Sequence, residues 1–409
     1  LIGRRSIGAR AAFWAAMLLS VAPGFVGVAR LLLLDGLLVL CVTVSVLCGF
    51  EAVRTGTLKR GWWLAAAVAS GLGFLTKGPV SEVLLFVPLW TFGFLTRRPT
   101  PPGPPSLKGR GEQVLPDVGI ESIPRGFDAS VSPLPFREGG PGGVGLFWYL
   151  AFFAVVVAVN LPWYVAIYLR EPQFLKHFFW EHNVMRFLQP FDHLQPIWYY
   201  APLLVGGLLP GTILFAAYAW KILRSAEGGA SRSLAGGFWL LTGAWCVFFF
   251  SCSGSKLPTY ILPAYPFLCL ALGEFVARTS WDTAVRTRAL IGGMAAVMLL
   301  AHHVAMPWYA KERSPFGNPE LVGRFVEDHG VAVVCFPRNC DSLAFYHDRA
   351  DMRNVRTKSV NQLMVDCHHR PRTVVLFTHR DSLAGFRQTL PPSLEIVETV
   401  TLKRKGKAA

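Results

Sequence analysis

About nine apolar runs of spanning or near-spanning length order this chain, at roughly 11–28, 31–50, 62–76, 79–96, 145–168, 197–221, 235–251, 258–277 and 288–307. A helix of about 20 apolar residues crosses the hydrocarbon of a bilayer, and shorter ones do so with tilt or local thinning. Backbone in that medium must satisfy its own hydrogen bonds, so runs of this length are predicted to be helices. The fold class expected is a polytopic all-α membrane protein. Composition agrees: 52% of the 409 residues are hydrophobic and 16% charged, against about 25% charged in soluble domains.

The formal charge of +15 first suggests nucleic acid, but its distribution excludes that partner. Lys and Arg collect in short loops on alternate sides of the runs: Arg4, Arg5 and Arg10; Arg54, Lys59 and Arg60; Arg97 and Arg98; Lys221, Arg224 and Arg232; Arg278, Arg286 and Arg288. The positive-inside rule makes these loops cytoplasmic. The loops 29–36, 76–80, 169–197 and 251–257 then face the outer side, as does everything after the last run. The chain opens on Leu1 with no leader before the first run, which reads as a fragment lacking its true N-terminus.

Four regions follow. Residues 1–97 and 145–307 are membrane helices, the second set carrying the outer loop 169–197. Residues 98–144 hold ten prolines and no apolar periodicity, so they read as a disordered cytoplasmic insertion unable to bury a core. Residues 308–409 are polar and mixed, with a helix expected at 319–329, strands at 331–336, 373–377 and 393–402, and a helix at 341–347, making a small α/β domain. Cys335, Cys340 and Cys367 lie in that domain, where an oxidising compartment permits a bridge of unreadable pairing. The other five cysteines lie in or beside apolar runs as small packing residues.

Ionisable groups beside spanning segments are costly and point to function. The outer loops carry Arg30 and Asp35 in "ARLLLLDG", Lys77 in "LTKGP", a dense run "FFWEHNVMRFLQPFDHLQPIWYY", and Lys256 with Tyr260 in "SGSKLPTYILP". Singly each has a plain reading. Asp35 suits a helix N-cap, Lys77 and Lys256 can snorkel to head groups, Arg186 can touch lipid phosphate, and His182 and His193 can be structural. Jointly, cations beside broken helices suit a compact anion such as a lipid phosphate. The aromatic residues among them suit a sugar or a polyprenyl tail.

These motifs, followed by "LLPGTILF" and "ILPAYPFLCLALG", closely resemble the aminoarabinose lipid A transferases and their relatives, a branch of the polyprenyl-phosphate-dependent (GT-C fold) glycosyltransferases that includes the protein mannosyltransferases. The resemblance covers about 1–97 and 145–310, with four motifs in the same order; the C-terminal domain matches loosely through "SLAFYHDR". It implies a GT-C-like fold and transfer of a sugar from an undecaprenyl- or dolichyl-phosphate donor to a lipid, glycan or protein acceptor at the outer face of the inner membrane. It nominates Arg186, Lys256, Tyr260 and Lys77, with Glu181 and His182 of the EH pair, as substrate-binding residues. Asp35 matches the second acidic position and is the catalytic candidate. No cofactor is certain. His182 matches a position that touches a divalent metal in relatives, which implies a metal ligand there. The family's first outer loop, with its acidic pair, is expected upstream of Leu1, so the catalytic base is expected to be missing from this chain.

The chemistry implied is displacement at the anomeric carbon with polyprenyl phosphate leaving. Cations stabilise charge growing on that phosphate, and a carboxylate activates the acceptor. The alternative class, a transporter or flippase of lipid-linked sugars, predicts charge at the bilayer midplane and on both faces; the sequence concentrates it on one.

Overall fold

The computed structural model describes residues 2–29, 34–96, 144–185, 193–224, 233–279, 281, 284–313, 319–337, 341–356, 359–370, 372–377 and 380–400. The predicted insertion 98–144 lies outside the described residues except for Val144. The chain divides into two compact units, Leu1–Met298 and Leu299–Ala409.

The elements described in the first unit are helices. Its elements are α1 (Ile2–Ile7), α2 (Ala9–Val21), α3 (Pro23–Ala29), α4 (Leu34–Val53), α5 (Arg60–Lys77), α6 (Val80–Leu95), α7 (Leu146–Arg170), a wide π-type helix α8 (Lys176–Met185), α9 (Tyr200–Gly207), α10 (Gly211–Arg224), α11 (Leu234–Cys252), α12 (Ala264–Arg278) and α13 (Val285–Leu300). Five described helices are long and apolar enough to cross a membrane, or up to seven if each bent pair is one span. Two runs expected as single spans are broken. Pro23 lacks the N–H that would continue α2, and α3 leaves at 67°. Residues 197–221 break before Pro210, and the segments Ile197–Gly207 and Gly211–Trp220 meet at 103°.

With no water to expel, helices in a bilayer associate through close packing, which favours small residues at contacts. Gly273 on α12 brings its backbone against α2 so closely that a Cβ there would lie 2.4 Å from the Ala11 carbonyl oxygen. Gly73 on α5 does the same for α6, where a Cβ would meet the Ser81 side chain at 2.9 Å. Around these contacts α4 buries Leu38, Val42, Val46 and Phe50, and α12 is buried along nearly its whole length. Apolar side chains left outside, such as Phe147, Phe153 and Leu161 of α7, face lipid.

One end of the bundle carries the basic loops. There the buried Glu51 accepts from Ser6 at 2.9 Å and pairs with Arg54 at 2.9 Å, while the buried Glu274 pairs with Arg278 at 2.9 Å. Arg5 lies over the Trp62 ring and Arg60 over Trp148. The opposite ends of the same helices hold Asp35, Lys77 and Tyr260.

The second unit carries a parallel sheet of β1 (Ala332–Phe336), β2 (Arg353–Asn354) and β3 (Thr373–Phe377) in the order β2-β1-β3, with Ala332 opposite Thr373 and Phe336 opposite Phe377. Helices Pro319–Val326, Asp341–Tyr346, Val360–His368 and Arg380–Gln388 accompany it. Val333 packs with Val322, Val326 and Leu343 on one face; Val334 and Phe336 pack with Leu363 and Phe386 on the other. Both faces are covered, as parallel sheets require. The strand expected over 393–402 is absent from its described residues: Val397 is 92% exposed, and its alternating pattern finds no strand to pair with. The short polar β2 takes the place beside β1 instead. Cys335 and Cys367 are not bridged to one another, and Cys340 lies outside the described residues.

Candidate functional site

Asp35 sits in the first turn of α4, and Lys77 is the last residue of α5. Opposite ends of adjacent antiparallel helices meet there, so the carboxylate and the ammonium form an ion pair, with side chains 14% and 28% exposed. The helix ends favour the arrangement, since an acid at an N-terminus and a base at a C-terminus both oppose the macrodipole. The Lys77 ammonium also lies 4.1 Å from the centre of the Tyr260 ring. In a desolvated setting such a contact contributes up to about 2 kcal/mol.

α5 stops because Gly78 takes a positive φ of 70° and Pro79 follows. A Cβ at Gly78 would approach the Asn183 amide at 3.0 Å, so only glycine lets α8 close over this corner. Asn183 donates to the Phe178 carbonyl at 2.8 Å. Phe179 packs on Phe74 and Tyr164, with ring centres 5.9 and 5.2 Å apart. α8 is thereby seated over the outer ends of α5 and α7.

The Lys256 loop is held differently. Leu194 and Ser255 form an antiparallel bridge; Gln195 N–H donates to the Gly254 carbonyl at 3.3 Å and Lys256 N–H to His193 at 3.0 Å. The Lys256 ammonium reaches back to the carbonyls of Gln195, at 3.0 Å, and Ser253. Only 4% of the residue is exposed, and burial lowers the ammonium pKa below its ordinary value. Among the described residues its hydrogen-bond partners are neutral carbonyls, and a buried cation so placed gains from an anionic partner. Tyr200, fully buried, donates to the Leu257 carbonyl at 3.2 Å and fixes the approach to Tyr260.

The structure thus joins Asp35, Lys77 and Tyr260 directly and ties Lys256 to the segment His193–Gln195. It does not bring Glu181 into that group. Glu181 is half exposed and pairs with His177, also exposed, at 2.6 Å. The His182 side chain and all of Arg186 and Arg30 lie outside the described residues. Among the described residues, no group of three or more His, Cys, Asp or Glu side chains converges to hold a metal. The sequence reading missed Asn183, whose role depends on the left-handed Gly78, and Glu82 of α6, an acid inside an apolar run.

A helical membrane bundle with polar groups gathered at one set of helix ends defines a class, and comparison with known proteins gives its relatives. A family model for dolichyl-phosphate-mannose-protein mannosyltransferases matches residues 1–100. An undecaprenyl phosphate-alpha-4-amino-4-deoxy-L-arabinose arabinosyl transferase of Edwardsiella ictaluri is 29% identical over 312 residues, 72% of this chain and 46% of that protein. One from Pseudomonas fluorescens is 27% identical over 70% of this chain and 43% of its own length. The crystal structure of ArnT from Cupriavidus metallidurans bound to undecaprenyl phosphate superposes with a TM-score of 0.63 at 19% identity, covering 95% of this chain and 77% of that one. The chain spans just under half the length of these curated relatives. By sequence and fold it is similar to the aminoarabinose transferases and the wider GT-C group, the resemblance that its motifs carry.

Proposed function

We propose that this protein is a membrane glycosyltransferase. It moves a sugar from an undecaprenyl-phosphate donor to a lipid A-like lipid, a glycan or a protein at the outer face of the inner membrane. Its site and its C-terminal unit lie on the periplasmic side. The observation that carries the reading is the convergence of Lys77, Tyr260 and Asp35 from three separate outer segments. The similarity to arabinosyl transferases over 72% of the chain supports the donor class.

In this reading Lys77, Lys256, Arg186 and the Tyr260 hydroxyl hold the donor phosphate. The bond between the anomeric carbon and the phosphate oxygen breaks while the acceptor oxygen attacks that carbon. The fixed cations stabilise the charge left on polyprenyl phosphate, a group of effects among the largest in catalysis. Asp35 gives one oxygen to Lys77 and so holds that ammonium in place; its other oxygen assists the acceptor. Glu181 and His182, the EH pair, are assigned to substrate binding on the family resemblance alone.

The test is donor kinetics in the full-length protein with an undecaprenyl-phosphate sugar. Lys256→Ala and Arg186→Ala should each weaken donor use sharply. Unchanged kinetics in both variants would reject the phosphate-site assignment.

A further inference from the structure

Below the outer site, α5 and α6 are joined by a hydrogen-bonded network that the scheme above does not use. Ser70 of α5 lies two turns from Lys77, about 10 Å along the axis at 1.5 Å per residue. Its hydroxyl donates to Glu82 Oε1 at 3.0 Å. Its carbonyl lies 3.1 Å from Ser81 Oγ, and Ser81 Oγ lies 2.8 Å from Glu82 Oε2. Both serines are fully buried. At the same level Asn160 of α7 donates to the Gly71 carbonyl at 3.0 Å, so α5 is held from two sides.

The protons can be counted. A serine hydroxyl has one proton, and a carbonyl only accepts. When Ser81 donates to the Ser70 carbonyl, its 2.8 Å contact with Glu82 needs a proton on the carboxyl oxygen. A neutral Glu82 then donates to Ser81 and accepts from Ser70, and each short contact has its own proton. An ionised Glu82 would leave Ser81 with one proton for two acceptors, the Ser70 carbonyl and a Glu82 oxygen, in the first turn of α6. A buried charge with no counter-ion is disfavoured against the neutral acid. Among the described residues, the groups around Glu82 are the hydroxyls of Ser70 and Ser81, Tyr164 on α7, and, at the same level, Asn160 on α7 and Cys41 on α4. None of these is a cation.

We infer that Glu82 is held as a neutral carboxylic acid and acts as a positioning residue for Lys77. It clasps the first turn of α6 to Ser70 of α5, which lies two turns before the break at Gly78–Pro79. The position of the last turn of α5, and with it the Lys77 ammonium, depends on that clasp. This role rests on the reading of Lys77 as a phosphate ligand; the protonation state does not.

The first arm of the test is an infrared difference between wild type and Glu82→Gln, full-length in bilayers at neutral pH. The carbonyl band of a protonated carboxylic acid should be present in wild type and lost in the variant. Carboxylate bands alone would overturn the inference. The second arm is affinity for undecaprenyl phosphate. Glu82→Ala should lose on the order of tenfold, equivalent to about 1.4 kcal/mol. Glu82→Gln, neutral and able both to donate and to accept, should recover it. If Gln loses as much as Ala, the ionised form is the working one; if neither variant changes affinity, Glu82 does not position Lys77. Loss of binding in Lys77→Ala and Lys256→Ala reports on the phosphate site separately, so a failure of either idea is distinguishable.

Discussion

Lys77 ends α5 with its ammonium paired to Asp35 at the start of α4 and set 4.1 Å from the Tyr260 ring centre. Three residues far apart in sequence are thus linked through one cation. The pair is mostly shielded from water, so removing one partner leaves the other charge poorly solvated. A double-mutant cycle of Asp35→Asn and Lys77→Met should give a coupling energy on the order of 1 kcal/mol or more, within the range for residues in contact. Additive losses in thermal stability would show that the two side chains do not interact.

Gly78→Ala should destabilise the protein, because the residue is buried in the turn between α5 and α6. The substitution places a Cβ at φ 70° and within 3.0 Å of Asn183, a conformation that costs about 1 kcal/mol or more outside glycine. Thermal unfolding in detergent measures the loss. Gly78→Ala combined with Asn183→Ala should recover the steric part and leave the backbone part.

Much of this was legible beforehand, for identifiable reasons. The apolar runs locate the helices because hydrocarbon thickness sets their length. Lys77 and Lys256 stood out because cations on that side oppose the positive-inside bias, Asp35 as an acid beside a spanning segment, and Tyr260 through the motif it shares with Lys256. The bends at Ala22 and before Pro210 were not legible, since hydropathy averages across a break. Asn183 was hidden because its importance comes from a backbone angle at Gly78. Glu82 carried a signal, a lone acid between "GPVS" and "VLLF", but its serine partners come from packing. The two-residue β2 was invisible because its pairing, not its composition, makes it a strand.

Burial lowers the Lys256 pKa, and the sign follows. The native state sheds this proton at lower pH than the unfolded chain, so stability linked to Lys256 increases as pH rises from the native pKa toward the ordinary 10.5. Phosphate affinity should move the opposite way, weakening as the ammonium is lost. Binding measured across alkaline pH should show a limb that disappears in Lys256→Met. A limb of the same midpoint in that variant would assign it to another group.

In the second unit, Arg349 is fully buried and donates to the carbonyls of Val326, Asp328 and Val331, with Asp351 completing its fork at 2.7 Å. The guanidinium draws the Asp351 carboxyl down from 3.8 to about 2. Stability from this pair is present above pH 3.8 and lost as pH falls through about 2. Arg349→Met should cost about 3 kcal/mol or more, because three carbonyls lose their buried donor. Asp351→Asn should remove the acid-dependent part in that pH window, as read by acid unfolding of the whole chain.

The most direct test of the phosphate site is the affinity of the full-length protein for undecaprenyl phosphate in bilayers, compared among wild type, Lys77→Ala, Lys256→Ala and the cytoplasmic-end control Arg54→Ala. Losses of tenfold or more, about 1.4 kcal/mol each, are expected in the two outer-face variants and none in the control. Equal affinity across all four folded proteins would contradict the phosphate-site assignment.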